Sequence, residues 1–206
     1  MDQSNKDKKF HIILLISLVV IFIWSYIDCH DLFTWFLEGL PAVVGVAILL
    51  CVYHKFRFTN LSYVLIWIFS VILLIGAHYT YSRMPLFDWI SEVFGLERNH
   101  YDRFGHFFQG VVPALLGREL LLRTSALKPS KWLYFIIICI CLAVSAFYEL
   151  LEWLAVVVSG DKATAFLATQ GDPWDPQKDM ALCLVGAIIG LLALSKLHDK
   201  GLEKIG

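Results

Sequence analysis

Apolar residues gather into six runs along the chain, approximately Phe10 to Ile27, Leu32 to Tyr53, Leu61 to Ala77, Phe104 to Leu122, Trp132 to Val158 and Met180 to Leu197. A hydrocarbon core about 30 Å thick takes about 20 helical residues to cross, and a helix satisfies its backbone N–H and C=O groups within one segment. The runs therefore predict an all-α polytopic membrane helix bundle of about six transmembrane helices, folded as a single transmembrane domain over residues 1–206. The first run follows Lys6, Lys8 and Lys9 as a secretory signal would. It ends at Asp28-Cys29-His30, with no small-residue cleavage site, and so reads as a retained span.

Two connections are long enough to have structure. Residues 80–102 interleave Leu86, Phe87, Trp89, Ile90, Val93 and Phe94 with Asp88, Ser91 and Glu92, which predicts a short interfacial helix in the loop between the third and fourth spans. It reads either as a cover over the bundle or as a lid over a site. Residues 159–178 hold Gly160, Gly171, Pro173 and Pro176 and read as an ordered, turn-rich loop.

Composition narrows the class. The chain is 58% hydrophobic and only 17% charged, with a net charge of −1. This excludes an ordinary soluble domain and a disordered chain, and it leaves no basic excess for nucleic acid. Cys29, Cys51, Cys139, Cys141 and Cys183 lie almost entirely in apolar runs and read as packing residues, without the spacing of a disulfide framework or a zinc ribbon.

Sorting the charges by side of the membrane changes the picture. Twelve of the 17 Lys and Arg residues fall at one set of helix ends, which the positive-inside rule makes cytoplasmic, together with both termini. Thirteen of the 18 Asp and Glu residues fall on the other side. Acidic residues contribute little to orientation, so this asymmetry points to carboxylates at work on the outer face.

Three polar clusters stand at outer helix ends. Residues 99–106 (NHYDRFGH) open the fourth span, with Asp102 and His106 at i,i+4 on one face and Gln109 and Pro113 continuing that stripe. Ser145, Glu149 and Glu152 share a face of the fifth span, and residues 169–179 (TQGDPWDPQKD) lead into the sixth. His78-Tyr79 closes the third span at the same depth. The alternating directions of the spans let these groups converge. An acidic residue inside a span costs about 2.5 to 3.5 kcal/mol on insertion scales, so Glu149 and Glu152 call for partners: Arg103, His78, His106 or a cation.

The catalytic candidates are His106, Asp102, Glu149, Glu152, Arg103 and His78. A divalent metal ion is the candidate cofactor, and it would take Asp175, Asp179 and Glu149; oxygen ligands favour Mg²⁺, Mn²⁺ or Ca²⁺, and added histidine admits Zn²⁺. Each cluster also has a plainer reading. Asp102, Asp172 and Asp175 suit helix N-caps, Glu149 and Glu152 could pair only to fix packing, and His106 alone would be an ordinary core histidine. His11, His30, His54 and His198 read as interfacial. Arg118 and Glu119 read as snorkelling or pairing near the cytoplasmic surface, Glu38 as a cavity lining or an interfacial span end, and Gly186 with Gly190 as a close helix contact.

The residues His78 to Tyr81, 99–110 (NHYDRFGHFFQG), 147–153 (FYELLEW) and 169–180 (TQGDPWDPQKDM) resemble bacterial inner-membrane proteins of the YjdF type, an uncharacterised family, over nearly the whole chain. More distantly, Asp-Arg-x-x-His followed by Glu and then Asp on later helices is similar to VanZ-like proteins. That resemblance implies functional carry-over only at Asp102, Arg103, His106, Glu149, Glu152, Asp175 and Asp179. The YjdF-type resemblance implies a bacterial inner-membrane location and supplies no reaction.

Three functions compete. The first is an outer-leaflet hydrolase or transferase acting on a lipid or lipid-linked substrate. The second is a small transporter or proton-coupled carrier, disfavoured by the apolar inner halves of the fifth and sixth spans. The third is a non-catalytic module that binds lipid or a partner in the bilayer.

Overall fold

The computed structural model describes residues 3–160, 166 and 168–205. Asp161 and Lys162, counted above with the outer charges, and part of the 159–178 loop lie outside the described residues. The described chain forms α1 (Gln3–Tyr26), α2 (Leu32–Val52), α3 (Asn60–Tyr79), α4 (Pro85–Phe94), α5 (Tyr101–Thr124), α6 (Lys131–Ser159) and α7 (Asp175–Leu202), with a 3₁₀ turn at Tyr81–Arg83. No strand occurs among the described residues.

Local chemistry sets several of the boundaries. Asp31 caps α2 by accepting from Thr34 N at 2.7 Å, and the Thr59 and Ser130 hydroxyls accept from Ser62 N and Leu133 N at 3.2 and 3.3 Å to start α3 and α6. Pro85 opens α4, and Gly95 closes it in the left-handed conformation at φ 63°. Its Leu86, Trp89, Val93 and Phe94 are exposed, while Phe87 packs on Tyr101 and Phe104. The interfacial helix is therefore where the alternating pattern places it.

Five described helices are long and apolar enough to cross a membrane: α1, α2, α3, α6 and α7. The fourth expected span is α5, a 24-residue helix about 36 Å long. It carries Asp102, Arg103, Arg118, Glu119 and Arg123 and is not apolar throughout. Those charges are tolerated because α5 is the axis of the bundle, packed along α7 and against α3 and α6, while α1 and α2 both rest on α3. Gly186 and Gly190, the glycines predicted to admit a close helix neighbour, meet α5: a Cβ on Gly186 would collide with the Phe107 carbonyl, and one on Gly190 would lie 3.1 Å from Val111 Cα. From the α5 side, a Cβ on Gly110 would collide with the Cys183 carbonyl.

Between the helix ends lies a packed apolar layer of Leu65, Val112, Leu115, Leu133, Ile137, Cys141, Cys183, Ala187 and Leu191. Ile13, Phe36, Phe147 and Leu192 are among the large apolar side chains turned outward, as lipid-facing residues are. Cys141 and Cys183 are packing residues, as expected, whereas Cys51 and Cys139 face outward.

The Lys- and Arg-rich end corrects one reading and settles another. His198 is buried, not interfacial, and Arg118 and Glu119, also buried, pair with Asp199 and Arg123 and do not snorkel. Glu119 Oε1 accepts from Thr59 N at 2.9 Å and Arg123 Nη1 at 2.8 Å. Its Oε2 accepts from the Thr59 and Ser62 hydroxyls at 3.0 and 2.7 Å and lies 3.0 Å from His198 Nε2. This saturated carboxylate ties α3, α5 and α7 together at the end opposite the predicted site.

Candidate functional site

The site begins at the first turns of α5. Asp102 is buried one turn before His106, with Oδ1 3.6 Å from His106 Nε2. The other ring nitrogen, Nδ1, lies 2.9 Å from Gln109 Oε1 one turn further on. A single helical face thus supplies an acid, an imidazole and the amide that orients it. From α6, Glu149 brings Oε1 to 3.4 Å from His106 Nε2. From α7, Asp179 completes a group in which Asp102, His106 and Asp179 each offer a ligand atom, all within 4.8 Å of one another.

Two more carboxylates close the chamber. Glu152, one turn beyond Glu149, is buried within electrostatic range of Asp102, Glu149, Asp179 and Glu38. Glu38 of α2 is also buried, and its Oε1 accepts from Tyr81 N at 3.3 Å. The backbone makes this contact by an unusual turn: Thr80, a β-branched residue, sits at φ 69° between α3 and Tyr81. Glu38 is thus fully buried beside the acidic group and not at an interfacial span end.

What distinguishes the chamber is how much of it is unsatisfied. Glu38 Oε2, Tyr81 OH, Ser145 Oγ, Tyr148 OH, Glu149 Oε1 and Asp179 Oδ1 are all buried without a hydrogen-bond partner. Each such atom costs about 1 to 3 kcal/mol, so a group of them in one region marks a place built to receive something else.

The third polar cluster forms a wall. Arg98, buried in the α4–α5 link, binds both oxygens of Asp175, with Nη2 3.2 Å from Oδ2, and donates to the carbonyls of Thr169 and Ala168 at 3.1 and 2.9 Å. Arg103 Nη2 donates to Asp172 at 2.6 Å and Asp175 at 3.3 Å, and its Nη1 meets His100 Nδ1 at 3.2 Å. Lys178 Nζ donates to Asp172 at 2.6 Å. The Lys178 hydrogen bond, then that from Trp174 N, holds the Asp172 carboxyl down at about 2. Burial, then the Arg103 charge, lowers the His100 pKa below its ordinary value. A polar cavity of about 380 Å³ opens here, lined by Glu97, Arg98, His100, Arg103, Asp172 and Lys178 among others.

These contacts redistribute the candidates. Asp102, His106, Glu149, Glu152 and Asp179 come together as expected. Asp175 lies outside the acidic group: two arginines neutralise it, and it makes no cap, since Trp174 stands at the N-cap of α7. Arg103 faces Asp172 and Asp175, away from Glu149 and Glu152. His78 is a clear departure. It stacks on Trp24 at 4.4 Å and places Nδ1 3.2 Å from the Ser25 carbonyl, joining α3 to α1. Arg98 is one of the five cations on the outer side but is not among the site candidates, although an arginine on the cation-poor side of a membrane protein is a signal in itself.

The arrangement defines a polytopic helical membrane protein with a His–carboxylate chamber at one end of its bundle. More particularly, the chain belongs to the family described as predicted membrane protein (DUF2238), whose profile matches residues 10–200. It is 41% identical over 191 residues to the inner membrane protein YjdF of Escherichia coli (strain K12), covering 93% of this chain and 91% of that protein. No solved structure matches. The YjdF-type resemblance is borne out, and the chain is a multi-pass inner-membrane protein; neither match extends to VanZ-like proteins.

Proposed function

We propose that this protein is a membrane enzyme, a hydrolase or transferase that acts on a lipid or lipid-linked envelope substrate from the extracytoplasmic side. One observation carries the reading: the buried, unpartnered polar atoms gathered around His106 on α2, α6, α7 and the 3₁₀ turn. The saturated Glu119 network at the opposite end shows how this bundle treats a carboxylate with a purely structural role.

Glu149 is the proton-transfer group. Its free Oε1 faces His106, and its side chain is 10% exposed, against 4% for Asp102. It takes the proton of an attacking water or acceptor hydroxyl, and Glu149 or Glu152 returns a proton to the leaving group. Phe147, Leu150, Leu151 and Trp153 flank Glu149 on α6 and face lipid, which supports a substrate with an acyl or prenyl portion. The extracytoplasmic assignment rests on the Lys- and Arg-rich opposite end. A carrier would need polar groups through the bilayer, and the apolar layer between the two ends speaks against one.

The test is lipid and cell-wall-precursor profiling of a deletion strain complemented with wild type, Glu149→Gln or Glu152→Gln at equal membrane levels. An accumulated species should clear with wild type and persist with Glu149→Gln. Full clearance by Glu149→Gln, or no change in any envelope species on deletion, would overturn the reading.

A further inference from the structure

We propose that Asp102, His106 and Asp179 bind a divalent transition-metal ion of the zinc or manganese type, leaving Glu149 beside it for proton transfer. This rests on the catalytic reading of the same chamber and names the cofactor that reading lacks.

The first support is the direction of the imidazole. Gln109 Oε1, 2.9 Å from Nδ1, accepts a hydrogen bond, so Nδ1 carries the proton and the neutral ring presents the Nε2 lone pair to its other neighbours. Those neighbours are Asp102 Oδ1 at 3.6 Å and Glu149 Oε1 at 3.4 Å, themselves acceptors. An imidazole nitrogen and two carboxyl oxygens thus converge on one point, a donor set of the kind a metal ion takes. An ion that accepts electron pairs resolves this arrangement.

The second support is Asp179. It is 2% exposed, and its Oδ1 has no hydrogen-bond partner. The nearby cations are engaged elsewhere: Arg98 and Arg103 form their ion pairs with Asp172 and Asp175, and among the described residues no lysine or arginine forms one with Asp102, Glu149 or Asp179. The arginine wall thereby takes Asp175 out of the ligand set and leaves the deeper acids without an ion pair of their own to Lys or Arg among the described residues.

The third support is rigidity. His106 and Asp179 stand on α5 and α7, which meet backbone to backbone where Gly186 lies against the Phe107 carbonyl and Gly110 against that of Cys183. A ligand pair on so close a seam keeps its spacing. Gln109 then acts as the outer-shell partner that fixes the tautomer and plane of a ligating histidine. One imidazole with two carboxylates suits zinc or manganese better than magnesium or calcium, which favour all-oxygen sites.

The experiment uses the full chain in lipid nanodiscs, stripped with chelator and titrated with Zn²⁺ or Mn²⁺. One ion per chain is expected. Asp179→Asn and His106→Gln should bind on the order of 100-fold more weakly and Gln109→Leu roughly 10-fold more weakly, with Glu92→Gln on the exposed helix as an unchanged control. Manganese bound to the unaltered protein should show nitrogen hyperfine coupling in its electron spin resonance, a readout that stands even where a variant fails to fold. Absence of stoichiometric binding, or manganese bound without nitrogen coupling, overturns the proposal. If metal is absent but Glu149→Gln still fails to clear the envelope species, the catalytic reading survives as metal-free acid–base chemistry. If metal binds and Glu149→Gln clears the species, the chamber is a cation site without that activity.

Discussion

Arg98 and Asp175 show how a buried charge is held at the end of a membrane bundle. Their side chains are 7% and 2% exposed, and each is the nearest charged partner of the other. Breaking a buried pair from one side costs about 3–5 kcal/mol, because the remaining charge is uncompensated. Arg98→Ala should therefore lower the thermal midpoint of the purified protein sharply, while Arg98→Leu combined with Asp175→Leu should recover much of the loss. If the double variant is as unstable as both single losses together, the pair is not coupled as described. The same residues mark the limit of sequence reading. Asp102, His106 and Gln109 were legible as a unit because a helix fixes i,i+3 and i,i+4 neighbours without reference to the rest of the chain. Arg98 finds Asp175 across 77 residues, and no local spacing encodes that contact. His78 shows the complementary error. Its place at the end of α3 gives its depth, but depth does not give the direction around the helix axis, and the ring points to α1.

At the scale of elements, the α5–α7 seam decides whether the chamber exists. A side chain on Gly186 would push against backbone, which cannot yield as a flexible side chain can. Overpacking of this kind costs about 1–3 kcal/mol, so Gly186→Ala should both destabilise the protein and loosen metal binding by separating His106 from Asp179. Gly117, on α5, has open space around it, and Gly117→Ala should stabilise by about 0.5–1 kcal/mol. Equal effects from the two substitutions would deny the seam its role. The pattern Gly-x-x-x-Gly announced a close partner for the last helix; that the partner would be the most polar helix of the bundle was not announced, because burial against protein, not lipid, is what makes charges on α5 tolerable.

The loop before α7 is held to α5 by charge, and its acid response has a definite sign. Asp172 titrates at about 2 in the folded chain, below the ordinary carboxylate value of about 3.9. Its ionised form is therefore the one folding favours. The contribution is complete above the ordinary value and declines as pH falls towards about 2. Pepsin should leave residues 168–174 intact near pH 4 and cut there near pH 2. Lys178→Met, which removes the strongest partner of Asp172, should be cut already near pH 4.

Across the whole molecule, the two ends of the bundle treat their buried carboxylates in opposite ways. At one end Glu119 has every lone pair engaged; at the other, Asp179 and Glu149 each hold an oxygen in reserve, and a layer of closely packed apolar residues separates them. The chemistry proposed for the His106 end would need solvent from its own side, so the side matters. The bundle groups the helix ends as the lysine and arginine distribution required: His11 meets Tyr53 and Asn60 at one end, while the His30 backbone N–H donates to the His78 carbonyl at the other. If the positive-inside rule assigns the faces, Cys29 stands outside, on the link between α1 and α2. Burial, and next the neighbouring Asp31, raises its thiol above the ordinary value, so labelling belongs at about pH 8.5 or higher. A membrane-impermeant maleimide should then modify Cys29 in intact spheroplasts, while Cys51, at the opposite end of α2, should react with it only after lysis. Labelling of Cys29 only after lysis would invert the molecule, place the chamber in the cytoplasmic half of the bilayer and direct the search for a substrate to the inner leaflet.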